Sequence, residues 1–236
     1  MRRAAAFVLA LGFSVSPRFA AAEDAFARCD RGAGLLQDRG SYGVNALDAD
    51  GLFFDESRQY VAGSSYRAHY LYFTVDADPA SVLAAYAQFH KHPEAFRGSV
   101  TQARVTGHGK ALLKVFFEEA VPYSFVPRPR FTLAESLSEL AGGGYRLDMA
   151  LDSFEDNSSH PVWYDAFLSV TPYKGKTLAL YCKYVVPADK RMPSIANRLV
   201  RERMQELPER LRELVRAEST DGAARARARL DVLFAR

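Results

Sequence analysis

From Tyr66 onward the spacing of hydrophobic and polar positions changes period several times, and each change predicts an element. Residues 66–75 (YRAHYLYFTV) are dense in aromatics and read as a strand. Asp78 then supplies a helix cap with Pro79 at the first helical position. Val82, Leu83, Tyr86 and Phe89 recur at helical spacing over residues 80–89, and His90-Lys91-His92-Pro93 ends the helix. Six more strands are expected at 100–106, 111–119, 131–140, 145–151, 162–171 and 177–186. Turn signals at 107–110 (GHGK), 142–144 (GGG) and 172–176 (PYKGK), with a proline-rich crossing at 122–129, separate most of them. Connections this short imply antiparallel neighbours.

After Pro187 the pattern becomes helical again. Over residues 194–218, Ile195, Leu199, Val200, Met204, Leu207, Leu211, Leu214 and Val215 form one stripe, with arginines and glutamates opposite. Pro208 is expected to kink this helix. Its stripe needs an apolar partner, and the sheet is the one available. The predicted class is α+β: a strongly curved antiparallel sheet of about seven strands wrapped around a long C-terminal helix.

The segment before Tyr66 has a different character. Arg2 and Arg3 precede an apolar run of twelve at residues 4–15, and Ala20-Ala21-Ala22 ends the segment with small residues. That order is a Sec-type secretory signal with cleavage after Ala22, and the run is too short to span a bilayer. A periplasmic or secreted location follows as an expectation. Residues 23–62, rich in glycine, read as an irregular extension. Export makes Cys29 and Cys182 candidates for a disulfide.

Composition excludes little beyond disorder: 48% of the residues are hydrophobic and 25% charged, as in ordinary folded proteins. The net charge of +3 is due to Arg2, Arg3 and Arg18; without residues 1–22 there are 28 bases against 28 acids. A neutral body offers little attraction to a phosphate backbone, so no nucleic-acid partner is expected. Neither a phosphate loop, a dinucleotide fingerprint, a G-x-S-x-G elbow nor an H-E-x-x-H pair is present, and no cofactor is expected. His90 and His92 read as solvated turn histidines rather than metal ligands, and Glu118-Glu119 as a sheet rim.

One resemblance organises these elements. Their order is similar to the helix-grip fold of the START, polyketide-cyclase and birch-pollen-allergen (SRPBCC) superfamily. Residues 75–86 (VDADPASVLAAY) resemble the opening strand-to-helix junction of that superfamily, and Lys91-His92-Pro93-Glu94 its turn after the first helix. The resemblance covers roughly residues 66–215 within a domain drawn at 63–218. It implies a deep, mostly apolar cavity between sheet and long helix, and hence a lipid or other hydrophobic small molecule as partner. The strands' aromatic load suits such walls, with tyrosine hydroxyls as polar handles. Tyr70, Tyr72, Phe116, Tyr145, Tyr164 and Tyr181, with Leu207 and Leu211 from the helix, are the expected lining.

Two other functions stay open. A cyclase- or dehydratase-type enzyme would use His69, Asp165 or a tyrosine in the same cavity as general acid or base. An envelope interaction module would have a filled core. On residues 162–171 the face of Val162, Tyr164, Ala166 and Leu168 is the more apolar, so Asp165 is expected to face water. Residues 219–236 form a basic tail in which four arginines mix with Leu230, Val232, Leu233 and Phe234. That composition allows weak peripheral contact with an anionic membrane, against the simpler expectation of a frayed, solvated end.

Overall fold

The computed structural model describes residues 52–56 (backbone only), 65–109, 112–157, 159–189, 193–218 and 222–234. Eight antiparallel strands make one sheet in the order β1-β2-β8-β7-β6-β5-β4-β3. They are β1 (Leu52–Glu56), β2 (His69–Val75), β3 (Val100–Gly109), β4 (Leu112–Glu119), β5 (Arg130–Leu140), β6 (Gly144–Phe154), β7 (Pro161–Tyr173) and β8 (Lys176–Pro187). The helices are α1 (Pro79–Tyr86), the single turn α2 (His92–Ala95), α3 (Pro193–Glu218) and α4 (Gly222–Leu233). Strands β3 to β8 form a meander, and β8 then pairs with β2, whose other edge carries β1.

All seven expected strands are present, and the sheet is the helix-grip arrangement. It has one strand more than expected: Leu52–Glu56 lies within the segment read as irregular and pairs with β2, Glu56 standing opposite His69. Glycines at 51 and 63 bracket a run too short to show a clear period. The hairpin between β7 and β8 turns on Lys174 and Gly175, both at positive φ (46° and 76°), as a two-residue turn matching the sheet twist requires. At the start of β6, a Cβ on Gly144 would lie 2.7 Å from the Val170 carbonyl oxygen, so glycine is needed for the strands to approach there. Residues 1–22, expected to be a secretory signal, and Cys29 lie outside the described residues, and so does any Cys29–Cys182 pairing; Cys182 itself is buried on β8.

Helix α1 begins as its sequence dictates. The Asp78 carboxylate accepts from the Ser81 backbone N–H at 3.0 Å and from its hydroxyl at 2.6 Å, and Pro79 occupies the first turn. Nearly all of α1 is buried, because α3 and α4 cover what the sheet does not. Helix α3 lays Val200, Met204, Leu207, Leu211, Leu214 and Val215 onto the concave face of the sheet. It continues through Pro208, which is itself buried. Arg212 fixes its far end by donating to the Thr74 carbonyl from Nε (3.0 Å) and Nη2 (2.9 Å). Among the described residues no helix is long and apolar enough to cross a membrane.

The C-terminal tail is not frayed. It forms α4, packed on α1, with Ala226, Leu230 and Phe234 buried in the main core. Arg227 reaches Glu139 at 3.1 Å and Arg229 reaches Glu218 at 2.9 Å. Burial of Leu230 and Phe234 removes two of the apolar residues that a membrane contact would use, leaving Val232 as the large exposed one.

Candidate functional site

The concave face of the sheet is set by alternation along each strand. It carries Leu71 and Phe73 on β2, Val115 and Phe117 on β4, Phe131, Leu133, Glu135 and Leu137 on β5, Tyr164 and Leu168 on β7, and Tyr181 and Lys183 on β8. Between this face and the first half of α3 lies a cavity of about 80 Å³. Phe96, Phe117, Leu133, Met149, Met204 and Leu207 form its apolar wall; Tyr86, His92, Glu119, Tyr164, Tyr181, Lys183 and Arg203 supply polar groups.

Three features give this cavity its chemistry. The first is an ion cluster at the edge nearest α3. Arg203 donates to the Glu119 carboxylate and to the Ala120 carbonyl, while Lys183 Nζ lies 3.6 Å from Glu119 Oε1 and 4.8 Å from the centre of the Tyr164 ring. Burial alone would raise the Glu119 pKa, but Arg203 and Lys183 overcome it and hold the carboxyl below its ordinary value. The second is a group of buried hydroxyls. Burial pushes the Tyr86, Tyr164 and Tyr181 phenols upward, so each stays a neutral donor, and Tyr86 donates to the Met149 sulfur at 3.6 Å.

The third is Glu135. It is fully buried on the same face of β5 as Leu133, two residues beyond that lining residue and not itself lining the cavity, and neither carboxyl oxygen has a hydrogen-bond partner among the described residues. Desolvation drives its pKa well above the ordinary carboxylate range. A neutral carboxylic acid in such a place can donate a hydrogen bond or a proton to a group brought beside it.

His92 is not the solvated turn residue its sequence context suggests. It is buried among Tyr86, Phe89, Phe96 and Phe117, and its Nε2 lies 2.7 Å from the Tyr86 carbonyl. Burial lowers its pKa to about 4. The histidine therefore binds fewer protons folded than unfolded between its unfolded value near 6.5 and about 4. Its stabilising contribution is complete above that window and lost as pH falls through it, by about 3 kcal/mol in all. Urea unfolding from pH 7 to 4 should show this loss, and His92→Gln, which keeps a donor for the Tyr86 carbonyl without the titration, should flatten the slope.

Of the expected lining, Tyr164, Tyr181 and Leu207 meet at the cavity. Tyr145 and Leu211 face the same side but belong to solid core. Tyr70, Tyr72 and Phe116 do not join them. Tyr70 and Tyr72 lie on the opposite face in a second apolar cluster with Tyr66, Ala68, Phe167, Cys182 and Tyr184, and Phe116 is half-buried under Arg104 on β3. That second cluster also explains Asp165. Its face is covered rather than wet, so Asp165 is buried and accepts from the Trp163 indole N–H, away from the cavity. His69 is buried on the cavity side, opposite Lys183 in the β2–β8 ladder, without lining the cavity. Glu118, expected at a rim, is buried between Thr101 (2.8 Å), Arg128 (3.1 Å) and Arg130 (2.7 Å). Among the described residues no cluster of three ligating side chains exists.

A larger concavity, about 810 Å³, is an open groove between α1, β3 and α4, mostly apolar and edged by Arg104, Arg225 and Arg229. It has no buried polar group comparable to Glu135 or to the Glu119 cluster.

Solved structures share this architecture. A STAR-related lipid transfer protein fragment from Xanthomonas axonopodis superposes with a TM-score of 0.62 at 12% identity, over 70% of this chain and 94% of that one. Human StAR-related lipid transfer protein 5 gives 0.56 at 10% identity, over 86% and 99%. Human STARD10 gives 0.58 at 7% identity, over 70% and 69%. No family model and no curated protein matches the sequence. The chain thus has a START-like helix-grip fold.

Proposed function

We propose that this is an exported, periplasmic or secreted, START-like protein that holds a lipid or other hydrophobic small molecule between the sheet and α3. The observation that carries this reading is Glu135 on the cavity-facing side of the sheet. A fully buried carboxyl without a hydrogen-bond partner is costly to the fold, and a bound molecule offering a hydroxyl or carbonyl would complete it. Residues 1–22 support export, and the fold's neighbours named as lipid transfer proteins support the ligand class.

The cavity, at about 80 Å³, is below the range for small-molecule pockets, so an occupant must displace something. The first half of α3 is the element suited to move. From Pro193 to Arg203 only Val200 is buried, and Arg203 holds that half through Glu119 and Ala120. The rest of α3 is anchored by Leu207, Leu211, Leu214 and Val215. Peripheral membrane contact through α4 has only Val232 and the helix's arginines to rest on and forms no part of this reading.

The test is native mass spectrometry of protein purified from its own host, which should show a bound lipid-sized mass lost on denaturation. Protein that arrives empty and takes up no environment-sensitive hydrophobic dye would overturn the reading. A second reading, an envelope interaction module with a filled core, draws on the small cavity volume, and that same empty result would favour it.

A further inference from the structure

The ion cluster at the cavity edge is unbalanced. Glu119 is one carboxylate shared by two cations, Arg203 and Lys183. Both are largely enclosed: the Lys183 side chain is 8% exposed and that of Arg203 18%. Among the described residues, Glu119 is the sole carboxylate within ion-pair distance of either. Glu118, next along β4, points to the other face, where it is matched by Arg128 and Arg130. Glu135 lends no compensating charge while burial favours its neutral acid, and His69, across the ladder from Lys183, adds no negative charge. One positive charge in excess therefore faces an apolar cavity. Enclosed cations are costly unless fully paired, and here the described residues offer two of them a single shared carboxylate.

The Lys183 contact shows where a second partner fits. At 3.6 Å its ammonium is an ion pair with Glu119 but too far for a hydrogen bond, whereas Arg203 donates directly to Glu119. Lys183 also lies over the Tyr164 ring, which lines the same cavity as Met204 and Leu207. A head group that reaches Lys183 thus has apolar wall immediately behind it.

We propose that this site takes an amphiphilic anion: a long-chain carboxylate whose head group sits between Lys183 and Arg203 and whose chain runs along the wall of Phe117, Leu133, Met149 and Leu207. This rests on the hydrophobic-ligand reading above and specifies its head group. The incoming carboxylate competes with Glu119 for Arg203, the residue that holds the first half of α3, so head-group binding and opening of the cavity are one event.

Calorimetric titration of the purified protein with dodecanoate, dodecanol and dodecylammonium tests it. Dodecanoate should bind at least tenfold more tightly than dodecanol, and dodecylammonium most weakly. Lys183→Met should weaken dodecanoate at least tenfold and leave dodecanol unchanged, and Lys183→Arg should restore it. Glu119→Gln should strengthen dodecanoate several-fold by removing its internal competitor, a gain that a damaged fold would not produce. Equal binding of all three, or preference for the amine, overturns the anion assignment while leaving a hydrophobic-ligand protein. Binding of none overturns both.

Discussion

Replacing Leu211 with aspartate is expected to abolish the folded state at ambient temperature. Leu211 is fully buried where α3 crosses the sheet, in the part of the helix that Arg212 ties to the Thr74 carbonyl. Truncating such a leucine to alanine costs about 2–5 kcal/mol, and a carboxylate in the same place adds a desolvation penalty of similar or larger size. Together these approach the whole stability of an ordinary domain, about 5–15 kcal/mol. Leu211→Ala should survive with a depressed melting temperature, and Gln205→Asp, at an exposed position of the same helix, should change it little. Far-UV circular dichroism during thermal melting separates the three. If Leu211→Asp melts like the unsubstituted protein, α3 is not docked as described.

Leu211 belongs to the part of the fold that was readable in advance, for a physical reason. Its stripe on α3 repeats over about six turns, and the strands of the meander are long, β-rich and separated by strong turn chemistry. Local pattern and tertiary packing agree there, so the periodicity of the chain and the architecture coincide. Leu52–Glu56 was missed because five residues between glycine-rich flanks carry too little period to distinguish a strand from a loop. Helix α4 was missed because alternating Arg-Ala gives a weak stripe. Its packing rests on three residues, Ala226, Leu230 and Phe234, brought together only by the docked position of α1.

The site was less legible. Reading Asp165 as wet assumed that one face of β7 meets solvent, but both faces are covered, and alternation cannot tell a second core from water. Aromatic load pointed to Tyr70, Tyr72 and Phe116 as lining residues, and it does not say which face of a strand meets the cavity. Lys183 and Arg203 gave no local signal, since their meeting at Glu119 spans more than sixty residues of sequence. Glu135 did leave one. In Phe131-x-Leu133-x-Glu135-x-Leu137 a carboxylate occupies a position that its own strand's alternation assigns to the core.

That misplaced carboxylate should make the fold more stable when removed. Burial raises the folded pKa of Glu135 well above its unfolded value near 4.5, so above pH 4.5 the unfolded chain releases a proton that the folded chain retains. The sign follows from linkage: stability is at its full value below the unfolded pKa and is lost as pH rises toward the folded one, by up to about 1.4 kcal/mol per pH unit. Glu135→Gln keeps the shape without the titration, so its melting temperature relative to the unsubstituted protein should climb as pH rises above 4.5. Glu135→Leu also removes the polar atoms that find no partner, and should be the most stable of the three at pH 8. If Glu135 serves a ligand as proposed above, Glu135→Leu should lose affinity for a hydroxyl- or carbonyl-bearing occupant while gaining stability. Denaturant titrations across that pH range decide the matter. Lower stability of Glu135→Leu at pH 8, or a difference that does not change with pH, would show that Glu135 is ionised and satisfied in the folded protein.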